Sequence, residues 1–471
     1  MTKESIGGAG LFMGEFSVAG QAVVVMGAAR SGIAAALLLA ERGARVTVTD
    51  LRPRLDDGAD AARLRAAGID VELGGHSVET LTRASLVVLS PGVPPRQPVL
   101  DAARGAGVPV IGELELASRW LRGRLVAITG TKGKSTTATL AGRMLEAGGV
   151  KALVGGNIGV PLSAQVGRST PDTVHVIEAS SFQLESADTF HPWIAVLLNL
   201  SPDHLDRYAS VEEYANAKGR IFSRQDEDDW AVINADDPGA LALARAGRGR
   251  PFLFSSEGTI DEGIVVLPGA IAHRHGGRDE PIIPREAVRL IGRHLLADVA
   301  AAAAVARLSG VSAEAMTSAV RSFTGLEHAL EPVADIRGVR FVNDSKATNV
   351  ASARQAIESF GERLVVIVGG RYKGGDFRDL RAPLASRAGS VVAIGETRPV
   401  VRAALEDAVP VYEARTMAEA VQRAFACAQP GGVVLLAPAC SSFDMFADYA
   451  DRGQAFRREV ARLAREVSRE Q

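Results

Sequence analysis

The side chains best equipped for chemistry lie in TGTKGKST (129–136). Glycines let backbone amides close around a phosphate, Lys134 can neutralise β- and γ-phosphate oxygens, and the Ser135 hydroxyl can ligate Mg²⁺. Gly130, Thr131, Lys132, Gly133, Lys134, Ser135 and Thr136 are the expected triphosphate contacts. The loop is shorter than the usual P-loop, because position 128 is Ile where that motif carries Gly. Two further segments add hard ligands: Glu178 begins EASSFQLE (178–185), and His204 lies within NLSPDHLDRY (199–208). Both follow apolar strand-like runs, and ligands of open α/β sheets bind at strand C-termini. A carboxylate and an imidazole there can hold Mg²⁺ beside the phosphates. Lys218 lies on a helical segment beginning at Tyr214. Alone it would read as a solvated helix lysine, and His204 as a hydrogen-bonded loop residue; their joint occurrence with the phosphate loop favours a site.

These groups need a scaffold, and the apolar runs supply it. AVVVMG (22–27), LVAITG (125–130) and LVVIVGG (364–370) each read as a buried strand entering a glycine-rich turn. The first two lead into Ala-rich helical stretches, and VVAIG (391–395) and VVLLAPA (433–439) follow the third. Short β-branched runs alternating with helices predict parallel sheets covered on both faces. The fold class is α/β with three domains: a Rossmann-like domain over 1–111, a P-loop-type mononucleotide-binding domain over 112–324 and a Rossmann-like domain over 325–471. In the first, GAARSG (27–32) resembles a dinucleotide-binding turn, with Asp50 and Arg52 closing the next strand and Ser90-Pro91-Gly92 a later one. That turn alone does not separate UDP from a nicotinamide dinucleotide.

Composition narrows the class. The 471 residues are 47% hydrophobic and 23% charged, with a net charge of -2, so neither disorder nor a nucleic-acid footprint is expected. Cys427 and Cys440 make no disulfide framework. The longest apolar stretches are too short to span a bilayer, and no apolar signal segment precedes the first strand. A cytoplasmic, monomeric protein without membrane insertion is expected.

Five segments, GTKGKST (130–136), GGNIG (155–159), EASSFQLE, LNLSPDHLDRY (198–208) and DSKATN (344–349), follow one another along essentially the whole chain. Together they resemble the Mur ligase superfamily, and SSFQLE with DSKATN resembles its D-glutamate-adding branch. The resemblance implies an ATP-dependent ligase that joins D-glutamate to UDP-N-acetylmuramoyl-L-alanine through an acyl phosphate, with two Mg²⁺ ions. It implies Lys134, His204, Lys218 and Lys346 as catalytic groups and Ser135, Glu178, His204 and Lys218 as metal ligands. Lys218 would be carboxylated on its ε-nitrogen, which turns a repelling cation into an anion able to hold a second Mg²⁺. The UDP substrate would meet Ser31, Gly32, Asp50, Arg52, Ser90, Pro91, Gly92 and Asn157, and Ser180 would touch substrate or metal. D-Glutamate would meet Thr348, Lys373, Ser442, Phe443 and Tyr449, with Asp344 serving the nucleotide.

The chain departs from the family at two places. HLLAD (294–298) stands where an HNxxN-type helix start is usual, so Asp298 is expected to accept from the adenine amino group. In GLEHALE (325–331), Ala329 replaces an arginine near ATP. Weaker ATP binding, or compensation by Arg371, is expected. A folylpolyglutamate-synthetase-like ligase would lack the UDP-type first domain, a P-loop ATPase would turn over without an amino acid, and a dehydrogenase leaves GTKGKST unexplained.

Overall fold

A computed structural model describes residues 16–55, 58–204, 207–258, 260–290, 294–361, 363–372 and 374–469. The apolar runs form three sheets. The first has five parallel strands in the spatial order Asp70–Leu73, Arg45–Asp50, Ala22–Met26, Leu86–Leu89, Val110–Gly112. Its central strand enters the helix Arg30–Glu41 through Gly27, whose φ of +93° suits glycine. Gly32 is required for a different reason: a Cβ there would lie 1.9 Å from the Gly27 carbonyl, so the helix packs directly onto its own entry turn.

The second sheet has nine strands. Seven run parallel, in the order Lys151–Gly156, Thr173–Glu178, Arg124–Thr129, Ile194–Leu197, Trp230–Asn234, Arg250–Ser255, Gly263–Val266. Helices on the faces bury them, which is why their sequences do not alternate. The remaining two strands depart from the all-parallel expectation. Ala270–His275 pairs antiparallel with Gly263–Val266, and Arg278–Pro284 follows beyond it. Gly276 and Gly277, both at positive φ, make the two-residue hairpin turn that this reversal needs. The last strand closes the edge with Arg278, Asp279, Glu280 and Pro281, all exposed.

The third sheet runs Glu331–Ile336, Val339–Asn343, Val433–Leu436, Leu364–Gly369, Ser390–Ile394, Val411–Glu413. It is parallel except for the first strand, which turns back at Arg337 and Gly338, both left-handed. The chain forms two compact units: one runs through Ile283 and takes in Ala297–Met316, and the other comprises Pro284–Leu296 and everything from Thr317 onward. Among the described residues no helix is long and apolar enough to cross a membrane.

Candidate active site

In the first unit the strand Arg124–Thr129 ends in the phosphate loop, and the helix Lys134–Ala147 starts from Gly133 at φ +84°. The helix N-terminus directs backbone amides and a positive dipole end at whatever the loop holds. Residues far along the chain fix the loop's shape. The Asn199 side chain accepts from the Lys132 N–H at 2.9 Å and donates to the Lys132 carbonyl at 3.1 Å. Thr131 is tied to Ser201 in both directions, and Tyr214 donates to the Thr131 hydroxyl at 3.2 Å. Burial pushes the Tyr214 phenol up to about 12, so it stays a donor. The Lys134 ammonium reaches the Thr131 carbonyl at 3.0 Å.

Beside the loop three predicted residues meet. Glu178, buried at the end of its strand, accepts from the Ser135 hydroxyl at 2.6 Å and from the Asn157 amide at 2.8 Å, one on each carboxylate oxygen. Ser180 caps the helix Ser181–Glu185 together with Gln183. Lys218 is 2% exposed, donates to the Gly130 carbonyl at 2.8 Å and lies 4.6 Å from the centre of the Tyr214 ring. Burial, with Lys134 nearby, lowers its pKa to about 7, so much of it is a neutral amine near neutrality. His204 has a φ of +53° and a half-exposed ring against Phe182, at 4.8 Å between centroids. It makes no hydrogen bond to Glu178 among the described residues. Among those residues the one cluster of three His, Asp or Glu groups with converging ligand atoms is His191, Asp226 and Asp229. His191 Nε2 lies 2.5 Å from a carboxylate oxygen of Asp229 before the strands Ile194–Leu197 and Trp230–Asn234, at the strand ends opposite the loop.

Asp298, expected at the adenine, is packed beneath the loop. A Cβ on Gly133 would lie 2.1 Å from its Oδ1, and its Oδ2 is buried without a partner. Burial drives its carboxyl up to about 7, opposed by Lys134. On the first sheet Asp50 also serves its own turn: it accepts from the Ala28 N–H at 2.7 Å and from the Arg52 N–H and guanidinium at 2.9 Å. Those bonds hold its carboxyl far below the usual range and leave Arg52, rather than Asp50, facing outward. Ser31 and Gly32 open the helix after this turn. Ser90 is buried opposite Gly27, and Pro91 and Gly92 continue from it toward solvent.

In the second unit the predicted segments meet at the strand C-termini. The Ala439 N–H donates to Ala347, Arg371 and Ser441 exchange backbone bonds, and the Ser345 hydroxyl donates to the Tyr449 carbonyl at 2.7 Å. Asp344 accepts from the Leu330 N–H; Lys346 and Thr348 follow it on the same loop. Phe443 and Tyr449 are exposed, whereas Ser442 is 2% exposed. Lys373 lies outside the described residues. Arg371 pairs with Glu396 at 3.0 Å, and Leu295 packs on this unit's apolar core.

Residues 21–112 match the MurD-like N-terminal domain of Mur ligases, 128–306 the Mur ligase middle domain and 330–440 the Mur ligase glutamate ligase domain. The chain is 48% identical over 440 residues to the UDP-N-acetylmuramoylalanine--D-glutamate ligase of Acidobacterium capsulatum, covering 93% of this chain and 95% of that one. The chain belongs to the Mur ligase family. A second ligase of the same name, from Geobacter metallireducens, is 45% identical over 95% of this Mur ligase and 98% of its own length. The solved pseudomurein peptide ligase type C of Methanothermus fervidus has the same fold, with a TM-score of 0.59 at 17% identity over 94% of this chain and 100% of that one. So does the UDP-N-acetylmuramate-alanine ligase of Thermotoga maritima, at 0.58 and 17% over 95% and 100%.

Sequence reasoning missed two supports of this Mur ligase. Asn199 was visible as a polar residue after a strand, but nothing local marks it as the clamp of a loop 67 residues earlier. Arg452, buried in the last helix, donates to the Ser345 hydroxyl and carbonyl and to the Cys440 carbonyl, tying two predicted amino-acid segments together. Its signal was weak: an arginine in an amphipathic helix ordinarily faces water.

Proposed function

We propose that this Mur ligase joins D-glutamate to UDP-N-acetylmuramoyl-L-alanine, converting ATP to ADP and phosphate, as a cytoplasmic monomer. The observation that carries the reading is the convergence of Ser135 and Asn157 on Glu178 beside a clamped phosphate loop. The printed names of its relatives supply the substrates. In this reading 1–111 receives the UDP moiety, 112–324 holds ATP and 325–471 holds the amino acid.

The acceptor's alanine carboxylate attacks the γ-phosphorus, ADP leaves, and an acyl phosphate forms. Lys134 and the loop amides neutralise charge on the phosphate oxygens, where most catalysis of phosphoryl transfer resides. The neutral amine of D-glutamate then attacks the acyl carbon, and the tetrahedral intermediate breaks its C–O bond to expel phosphate, which takes the proton that the nitrogen loses, leaving the amide. The donor set suits Mg²⁺, because a hydroxyl and a buried carboxylate already face one another as hard oxygens. Ser135, Glu178, His204 and a carboxylated Lys218 would hold it. When bound, Mg²⁺ withdraws charge from the transferring phosphoryl group. The depressed pKa of Lys218 supports its modification, since only the neutral amine can add CO₂.

Phosphate release from ATP and Mg²⁺, assayed with the acceptor and a panel of D- and L-amino acids, tests this reading. Release that needs both the acceptor and D-glutamate is expected. Release without either, or with another amino acid, overturns it.

A further inference from the structure

The last strand of the first sheet, Val110–Gly112, runs directly into the short helix Glu113–Ser118. Two glutamates on that helix are shut off from solvent: Glu113 is 1% exposed and Glu115 0%. A buried carboxylate costs several kcal/mol unless donors surround it, and here the donors come from the central-sheet segments. Glu115 accepts from three successive backbone N–H groups, those of Asp188 and Thr189 at 2.9 Å and Phe190 at 3.0 Å. It also accepts from the Thr189 hydroxyl and, at 2.8 Å, from Arg119 Nε. Glu113 accepts from the Ser163 N–H at 2.7 Å through one oxygen, and its other oxygen is buried without a partner. Burial raises the pKa of this carboxyl.

The origin of these donors gives the arrangement its meaning. Ser163 lies in the turn Leu162–Arg168, a few residues past Asn157. Residues 188–190 follow the helix Ser181–Glu185, which begins just past Glu178. One short helix on the first sheet therefore grips both segments that lead away from the Asn157–Glu178 pair. Gly112 brings the backbones close: its N–H reaches the Ser186 carbonyl at 3.3 Å, and a Cβ there would lie 3.0 Å from the Ser186 Cβ. The first and central sheets accordingly belong to one compact unit.

We propose that Glu113 and Glu115 are positioning residues for the acceptor, fixing the first-sheet nucleotide site relative to the Asn157–Glu178 pair where its carboxylate reacts. The inference rests on the proposed function, in which one acceptor spans both places. Gripping the nucleotide end then places the distant carboxylate only if the spacing between the two places is rigid, and small misplacements of reacting groups are costly.

Glu115→Gln is the sharpest probe, because an amide offers one oxygen where donors approach both. The expected result is a fall of about tenfold or more in kcat/KM for UDP-N-acetylmuramoyl-L-alanine. The ATP KM and the calorimetric affinity for UDP alone, which needs only the first sheet, should stay within about twofold of the unmodified protein. Glu113→Ala should behave alike, and Glu113→Gln should lose less, since its amide oxygen still accepts from Ser163. If Glu115→Gln does not fold, Glu115→Asp, which keeps the charge and shortens the reach, takes its place. Acceptor kcat/KM unchanged in these variants, or UDP affinity falling in parallel with it, overturns the inference. Absence of acceptor-dependent turnover in the unmodified protein instead overturns the proposed function.

Discussion

The two glycine turns of the first unit share a local plan, a buried strand, a left-handed glycine and a helix, but they are braced by different means. The turn at Gly27 is held from nearby: Asp50 comes from the adjacent strand, 22 residues on from the Ala28 N–H it receives. The turn at Gly130–Gly133 is held from afar, by Asn199, Tyr214 and Lys218 at separations of 67, 83 and 88 residues. A turn that only receives a ligand needs a stable shape. A loop that must stabilise moving charge needs its dipoles fixed before the reaction, and that takes support from several sides.

The sharpest way to break this contrast is at Lys218. Lys218→Ala should lower turnover by about 10³-fold or more, and Lys218→Arg should not restore it, because a guanidinium keeps its charge. A steady-state assay checks both, and near-normal turnover in either would remove Lys218 from the site. Asn199→Ala comes next: it removes both side-chain hydrogen bonds to the Lys132 backbone, at about 1–3 kcal/mol. The ATP KM should rise some ten- to a hundredfold with little change in acceptor KM. Asp50→Ala should do the reverse, raising acceptor KM about tenfold while ATP KM holds, as it releases only Ala28 and Arg52. Equal effects of these two variants on both substrates would mean the turns are not separately braced.

The smallest effect is a pH signature. Asp298 has a folded pKa of about 7 against an ordinary 3.8, so its contribution to stability is full below pH 3.8 and is lost as pH rises through 7. Asp298→Asn removes that dependence. Its melting temperature should gain a few degrees on the unmodified protein between pH 4 and pH 8, as differential scanning fluorimetry can read. Parallel curves would mean the carboxyl is not held neutral beneath Gly133.

What was legible in the sequence follows the same division. Lys134, Ser135 and Glu178 could be named because strand, glycine turn and polar group stand in a fixed local order, Asn157 only through the family resemblance, and the fold brings Ser135, Asn157 and Glu178 together. The three α/β sheets were legible from their apolar runs. The antiparallel ribbon was not, because its strands, AIAHRH and RDEPIIP, carry no continuous apolar run. The hydrogen bonds of Asp50 within its own turn and the place of Asp298 under the phosphate loop were not legible. In both cases the direction of the side chain depends on neighbours distant in sequence. Nothing local in the sequence singles out Glu113 and Glu115, since only the tertiary structure reveals the backbone amides that donate to them.

The strand Arg278–Pro284 has a consequence outside catalysis. An open sheet edge is a template on which another copy can lay a strand, and natural proteins blunt such edges with charge and proline. Here the outermost strand begins with Arg278, Asp279, Glu280 and Pro281, all turned to solvent. A neighbouring molecule in a crowded solution meets desolvation costs and a missing N–H where it would need a clean ladder. The nine-stranded sheet thus resists coagulation along this flank, and a hydrophobic substitution there would surface first as turbidity during expression, with enzymatic turnover intact.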